Sequence, residues 1–195
     1  MKKWRLDFRV WHWVHAAVVL GLLGTVFLRK TFLSWRTNSE LLSQKLTEMD
    51  LSVTAEQAKA LATTIRAPMW EWHILLGYAL AVLLLWRILL FFTESGKESY
   101  RNFKEERLHK KIVKLGYLVL YGVLAFMAVS GLALHFNEAI GLTKETTHTL
   151  KEIHELVYNA VLMFVPLHII GVIIAETRGE KGIISEMVHG GEKSP

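Results

Sequence analysis

The sequence predicts an all-α integral membrane protein, a bundle of four transmembrane helices with both termini cytoplasmic and a small helical loop on the outer side. Three observations carry this. The chain of 195 residues is 52% hydrophobic, with a mean hydropathy of +0.29, where soluble domains are about 45–50% apolar even with glycine counted. Its apolar residues gather in four long runs. Its charged residues, 21% of the total, collect in blocks between those runs. Residues 10–28, 70–92, 112–136 and 154–175 each approach or exceed the roughly 20 apolar residues that a bilayer crossing needs, and in lipid only a helix satisfies its own amides over such a length. The whole chain, 1–195, reads as a single membrane domain.

The first run has basic residues ahead of it, but its centre outlasts a signal-peptide core and no small-residue cleavage site follows, so an uncleaved multi-pass protein is expected. The absence of cysteine excludes a disulfide scaffold, a thiolate zinc site and a cysteine-held iron–sulfur cluster. A net charge of +5 and a pI near 9.4 would also suit a nucleic-acid binder. Basic loops beside membrane spans account for the charge already, so the expected partner is the lipid bilayer and not nucleic acid.

Orientation follows from the distribution of Lys and Arg. The N-terminal segment, the loop 93–111 and the tail after Ala175 carry thirteen of them, and the other two loops carry eight. The richer side is cytoplasmic by the positive-inside rule. The outer loop, residues 29–69, is too long for a bare connection. Helical spacing appears over Ser39–Met49 and Ala55–Ile65, and Thr54 with Gln57 has the form of a capping box. Pro68 is expected to punctuate the entry to the second span. Two amphipathic helices would then cap the bundle, either as a docking surface or as a lid.

Nine histidines are present, and His12, His15, His73, His109, His135, His154 and His168 lie in or at the ends of the spans. Ionisable side chains inside membrane helices are costly and point to function. His154 and His168 are fourteen residues apart, which is close to four whole turns and about 21 Å along a helix axis. They therefore share a face at two depths. His12 opens a span running outward and His73 opens one running inward, so depth pairs His12 with His168 near the inner side and His73 with His154 near the outer side. Two imidazoles from facing helices can bind one metal between them. Haem suits such a pair, since its iron takes axial histidine and an apolar shell tunes it, whereas a bare metal site would gather three or four ligands at one depth.

Other residues join this pattern with less force. Gly77 and Gly171 leave room beside their histidines, although ordinary helix packing explains small residues as well. Arg87, fourteen residues after His73, reaches the inner depth on the same face, where it could hold a haem propionate or simply snorkel. His15, three residues after His12, is the alternative ligand on the first span. His135 ends the third span, where a propionate or quinone contact is open to it. Trp4, Trp11, Trp13, Trp70 and Trp72 fit an interfacial aromatic belt.

Taken together these residues resemble the prokaryotic four-helix di-haem b cytochromes, which include bacterial cytochrome b561 and the cytochrome-b subunits of nickel–iron hydrogenases. Phe8-Arg9-Val10-Trp11-His12-Trp13 is similar to the family's opening on its first helix. His73, Gly77 and Arg87 repeat the spacing of the second helix, and His154 with His168 that of the fourth. Ser130-Gly131-Leu132-Ala133-Leu134 and the ending Ile183–Gly190 look closer to the hydrogenase-subunit branch. The resemblance spans all four helices, does not extend to the outer loop, and matches no ligand to His135. It implies a bacterial inner-membrane protein with two haems b, inner on His12 and His168 and outer on His73 and His154. Electrons would pass between a periplasmic redox partner, whether a hydrogenase, a reductase or a cytochrome c, and the membrane quinone pool. Arg9, Arg87 and His135 are the candidates for propionate or quinone contacts.

The chain carries no flavin, nicotinamide or nucleophile–base motif, so an electron-transfer subunit is expected, with a homodimer left open. Two other readings stand beside it: a stand-alone superoxide:quinone oxidoreductase using basic residues such as Arg66 and Lys151, and a non-redox four-helix membrane protein or metal transporter.

Overall fold

A computed structural model describes residues 4–92, 108–178 and 181–190. Six helices follow one another: α1 (Leu6–Lys30), α2 (Trp35–Glu48), α3 (Ala55–Phe91), α4 (Leu108–His135), α5 (Lys144–Arg178) and α6 (Ile183–His189). Four of them, α1, α3, α4 and α5, are long and apolar enough to cross a membrane. No one of these buries more than 28% of its most apolar stretch within the protein. Leu20, Val82, Leu118 and Ile170 are among the many large apolar side chains left exposed. Surface of that kind in water would be a large standing cost, and lipid removes it. Most of the basic loop 93–111, on which the expected orientation leans, lies outside the described residues, as do Lys2, Lys3 and Lys193.

The chain divides into two compact units, one of residues 1–17 with 78–195 and the other of residues 18–77. The first contains the start of α1, the end of α3, and α4 to α6. In it α4 packs along α5 and α6 folds back on α5. Trp11, 2% exposed, donates its indole N–H to the Leu83 carbonyl of α3 at 2.7 Å, so this tryptophan is a buried strut and not part of an interfacial belt. The second unit contains the rest of α1, α2 and the first part of α3. There Leu76 of α3 lies so close to Gly21 of α1 that a Cβ on the glycine would meet it at 3.0 Å.

Two expectations about the helices are corrected. The second outer helix and the second span form one continuous α3, with Pro68 inside it. A proline in a helix interior costs about 3 kcal/mol. A break would instead strand up to four carbonyls and four amides, each worth about 1 kcal/mol net when bonded, so continuing is the cheaper course. The fourth span lies in α5, which begins at Lys144, ten residues before the predicted start. Thr143 starts it by accepting the Thr146 N–H at 3.1 Å, and the added turns are polar, so an apolar window cannot see them. The capping box is present as read. Thr54 N–H donates to Gln57 Oε1 at 2.8 Å and Gln57 N–H donates to Thr54 Oγ1 at 3.2 Å.

Candidate cofactor site

In the unit of residues 18–77, α1 and α3 hold His73 from two sides. Trp70, one turn earlier, stacks on its ring at 5.2 Å and 8°, and the Arg29 guanidinium lies 4.8 Å over the Trp70 ring. Thr25 of α1 stands 2.8 Å from His73 Nδ1 through its hydroxyl. That hydroxyl also bonds the Leu22 carbonyl one turn back at 2.7 Å. A carbonyl can only accept, so the Thr25 hydrogen goes to Leu22 and the Thr25 oxygen accepts from the histidine.

His154 repeats the arrangement in the other unit. Ser130 of α4 gives its hydrogen to the Phe126 carbonyl at 2.6 Å, and its oxygen lies 2.7 Å from His154 Nδ1. Gly131 lies beside it, where a Cβ would sit 3.4 Å from His154 Cε1. In both histidines this geometry favours the proton on Nδ1, with Nε2 as the lone-pair nitrogen that a metal takes. Thr25 does not stand out in the sequence, and Ser130 does so only as the first residue of a family-like stretch. Their one local signal is a hydroxyl within an apolar run.

The same unit brings His12 and His168 together, with ring centres 6.3 Å apart and planes at 61°. Phe164, one turn before His168, stacks on it at 5.8 Å and 9°, and Tyr117 of α4 meets it edge-on at 6.0 Å. His15 is placed differently. It is buried, stacks on Trp11 at 4.8 Å, and its Nδ1 has no hydrogen-bond partner among the described residues. With metal–nitrogen bonds of about 2 Å, two axial imidazoles on opposite sides of one metal have centres about 6 Å apart. The His12–His168 separation fits that span. A Cβ added at Gly116, Gly122 or Gly171 would meet nothing within 4 Å.

Arg87, in the same unit, stands in an aromatic cage. Its guanidinium carbon lies 5.5 Å from the Phe8 ring, 5.7 Å from Trp11 and 5.2 Å from Tyr121, and its Nε donates to Tyr121 OH at 3.3 Å. Arg9 is engaged elsewhere. Its Nη1 donates to the Val188 carbonyl in α6 at 3.2 Å, and Trp13 Nε1 donates to Met187 in the same turn at 3.2 Å. A guanidinium at a helix C-terminus is favourable, since it meets unpaired carbonyls and the negative dipole end. His135 is exposed and meets Tyr78 edge-on at 5.9 Å.

Chemically, the site offers imidazoles held by ring and hydroxyl contacts in apolar helices, with a caged arginine in the same unit as His12 and His168. That set can ligate a flat metal cofactor, and no cluster of three or more His, Cys, Asp or Glu side chains placed to hold a metal ion occurs among the described residues. A family model described as prokaryotic cytochrome b561 matches residues 3–190. Neither a curated protein nor a solved structure matches the chain.

Proposed function

The chain belongs to the prokaryotic cytochrome b561 family, whose members are multi-pass membrane cytochromes that bind haem b, and from that premise we propose that it carries electrons across the bacterial inner membrane between a periplasmic redox partner and quinone. Two haems b are proposed, one on His12 and His168 near the cytoplasmic side and one on His73 and His154 near the periplasmic side. When bound, haem would supply an iron that exchanges single electrons, and His12, His168, His73 and His154 would be the residues that hold it. Arg87 serves as counter-charge for a propionate of the first haem. Its depth, fourteen residues beyond His73, supports that role, as does a cage that keeps the guanidinium among Phe8, Trp11 and Tyr121. The observation that carries the reading is the 6.3 Å separation of the His12 and His168 rings, the spacing of two axial ligands.

Haem content and spectra of purified protein test it. Two low-spin haems b per chain are expected. His12→Ala and His168→Ala should each remove or convert to high spin the same haem, and His73→Ala and His154→Ala the other. One haem per fully loaded chain would overturn the two-haem reading. Loss of a haem in His15→Ala with retention in His12→Ala would move the first-helix ligand to His15.

A further inference from the structure

Thr25 and Ser130 share a pattern that haem ligation alone does not demand. Each is a hydroxyl inside an apolar helix, 8% and 3% exposed. Each gives its own hydrogen to a carbonyl one turn back, Leu22 and Phe126 respectively. Such back-bonding is an ordinary way for a helical Ser or Thr to satisfy itself. What ordinary back-bonding leaves unexplained is the second contact, 2.8 Å to His73 Nδ1 and 2.7 Å to His154 Nδ1, made independently in two units.

Each arrangement is a relay in which imidazole N–H donates to a hydroxyl that itself donates to a carbonyl. A hydroxyl that is already donating is a better acceptor, because successive hydrogen bonds polarise one another. A metal-binding imidazole whose far N–H is well accepted becomes a stronger ligand base. The His12–His168 pair lacks this device. Its neighbours are rings, Trp13, Phe164 and Tyr117, and among the described residues no hydroxyl accepts from either imidazole. We infer that Thr25 and Ser130 are tuning residues, which fix His73 and His154 as Nε2 ligands and strengthen them as donors, so that iron bound through them has a lower midpoint potential than iron bound through His12 and His168. Electron donation favours the ferric state, which carries the extra positive charge, and hydrogen bonding around ligands is one of the levers by which a protein sets haem potential. The inference rests on the ligand assignment proposed above and concerns its regulation.

The test is a potentiometric titration of haem-loaded protein with Thr25→Val, Ser130→Ala and the double substitution. The lower-potential component should rise in each single variant and rise further in the double, while the higher-potential component stays in place. Thr25→Ser and Ser130→Thr, which keep the hydroxyl, should titrate as the wild type. Unchanged potentials in Thr25→Val and Ser130→Ala at full haem content would overturn the inference, and so would movement of the higher component instead. A second readout needs neither haem nor variant. Nitrogen-15 spectra of histidine-labelled apoprotein should show His73 and His154 as Nδ1–H tautomers, and an Nε2–H tautomer at either would sink the relay there. Failure of the ligand assignment is distinguishable, because His73→Ala and His154→Ala would then leave both haems bound whatever the potentials.

Discussion

Arg87 is a cation in an apolar helix, and three rings and a phenol hydroxyl hold it. A guanidinium over aromatic faces gains about 0.5–2 kcal/mol, well short of the cost of an unpaired charge at membrane depth, so a second partner of negative charge is expected beside it. Arg87→Leu should lower the midpoint potential of the haem proposed on His12 and His168, because removing a positive charge favours the ferric form, and should change the other proposed haem little. Arg87→Lys should keep much of the charge effect and lose the fork geometry. A redox titration resolving both haems reads both outcomes, and an unmoved potential in Arg87→Leu would reduce the residue to a snorkelling one. At this scale the sequence displays the histidines plainly, since spacing of fourteen residues fixes both face and depth. It prefers His12 to His15 on the first span, but it does not display the tertiary contact that occupies the His15 ring, its stack on Trp11. The hydroxyls of Thr25 and Ser130 were invisible for a different reason: nothing in a one-dimensional pattern says which histidine a buried hydroxyl will face.

The outer helices show where element boundaries come from. Thr54 and Gln57 make the reciprocal pair of hydrogen bonds that starts α3, and this was legible because both partners are close in sequence. Thr54→Ala should cost about 1 kcal/mol of local stability, which corresponds to roughly fivefold faster hydrogen exchange of the first-turn amides. An unchanged exchange rate at Gln57 would mean that tertiary packing and not the cap holds this end. The end of α2 is equally local. Asp50 takes φ 59°, and Leu51 N–H then reaches back to the Leu46 carbonyl at 2.9 Å, the left-handed closure that usually calls for glycine. Pro68 misled because its local preference is to stop a helix, and a local rule does not weigh the peptide groups that a stop would strand on both sides.

For the molecule as a whole, the four spans were readable because lipid imposes length and apolarity on any segment that crosses it. Sidedness is a sum over loops, and it has a direct test that the lack of cysteine makes clean. Gln44→Cys should react with an impermeant maleimide in intact cells, whereas Lys181→Cys should react only after lysis; the reverse pattern would invert the topology. The grip of Arg9 and Trp13 on α6 joins residues 179 and 174 positions apart. At about 5–20 residues per second of synthesis, the two residues that flank His12 wait about 10 to 35 s for the carbonyls they hold. That end of α1 is therefore completed only once α6 has been made, and a substitution or cleavage in α6 is felt at the start of α1.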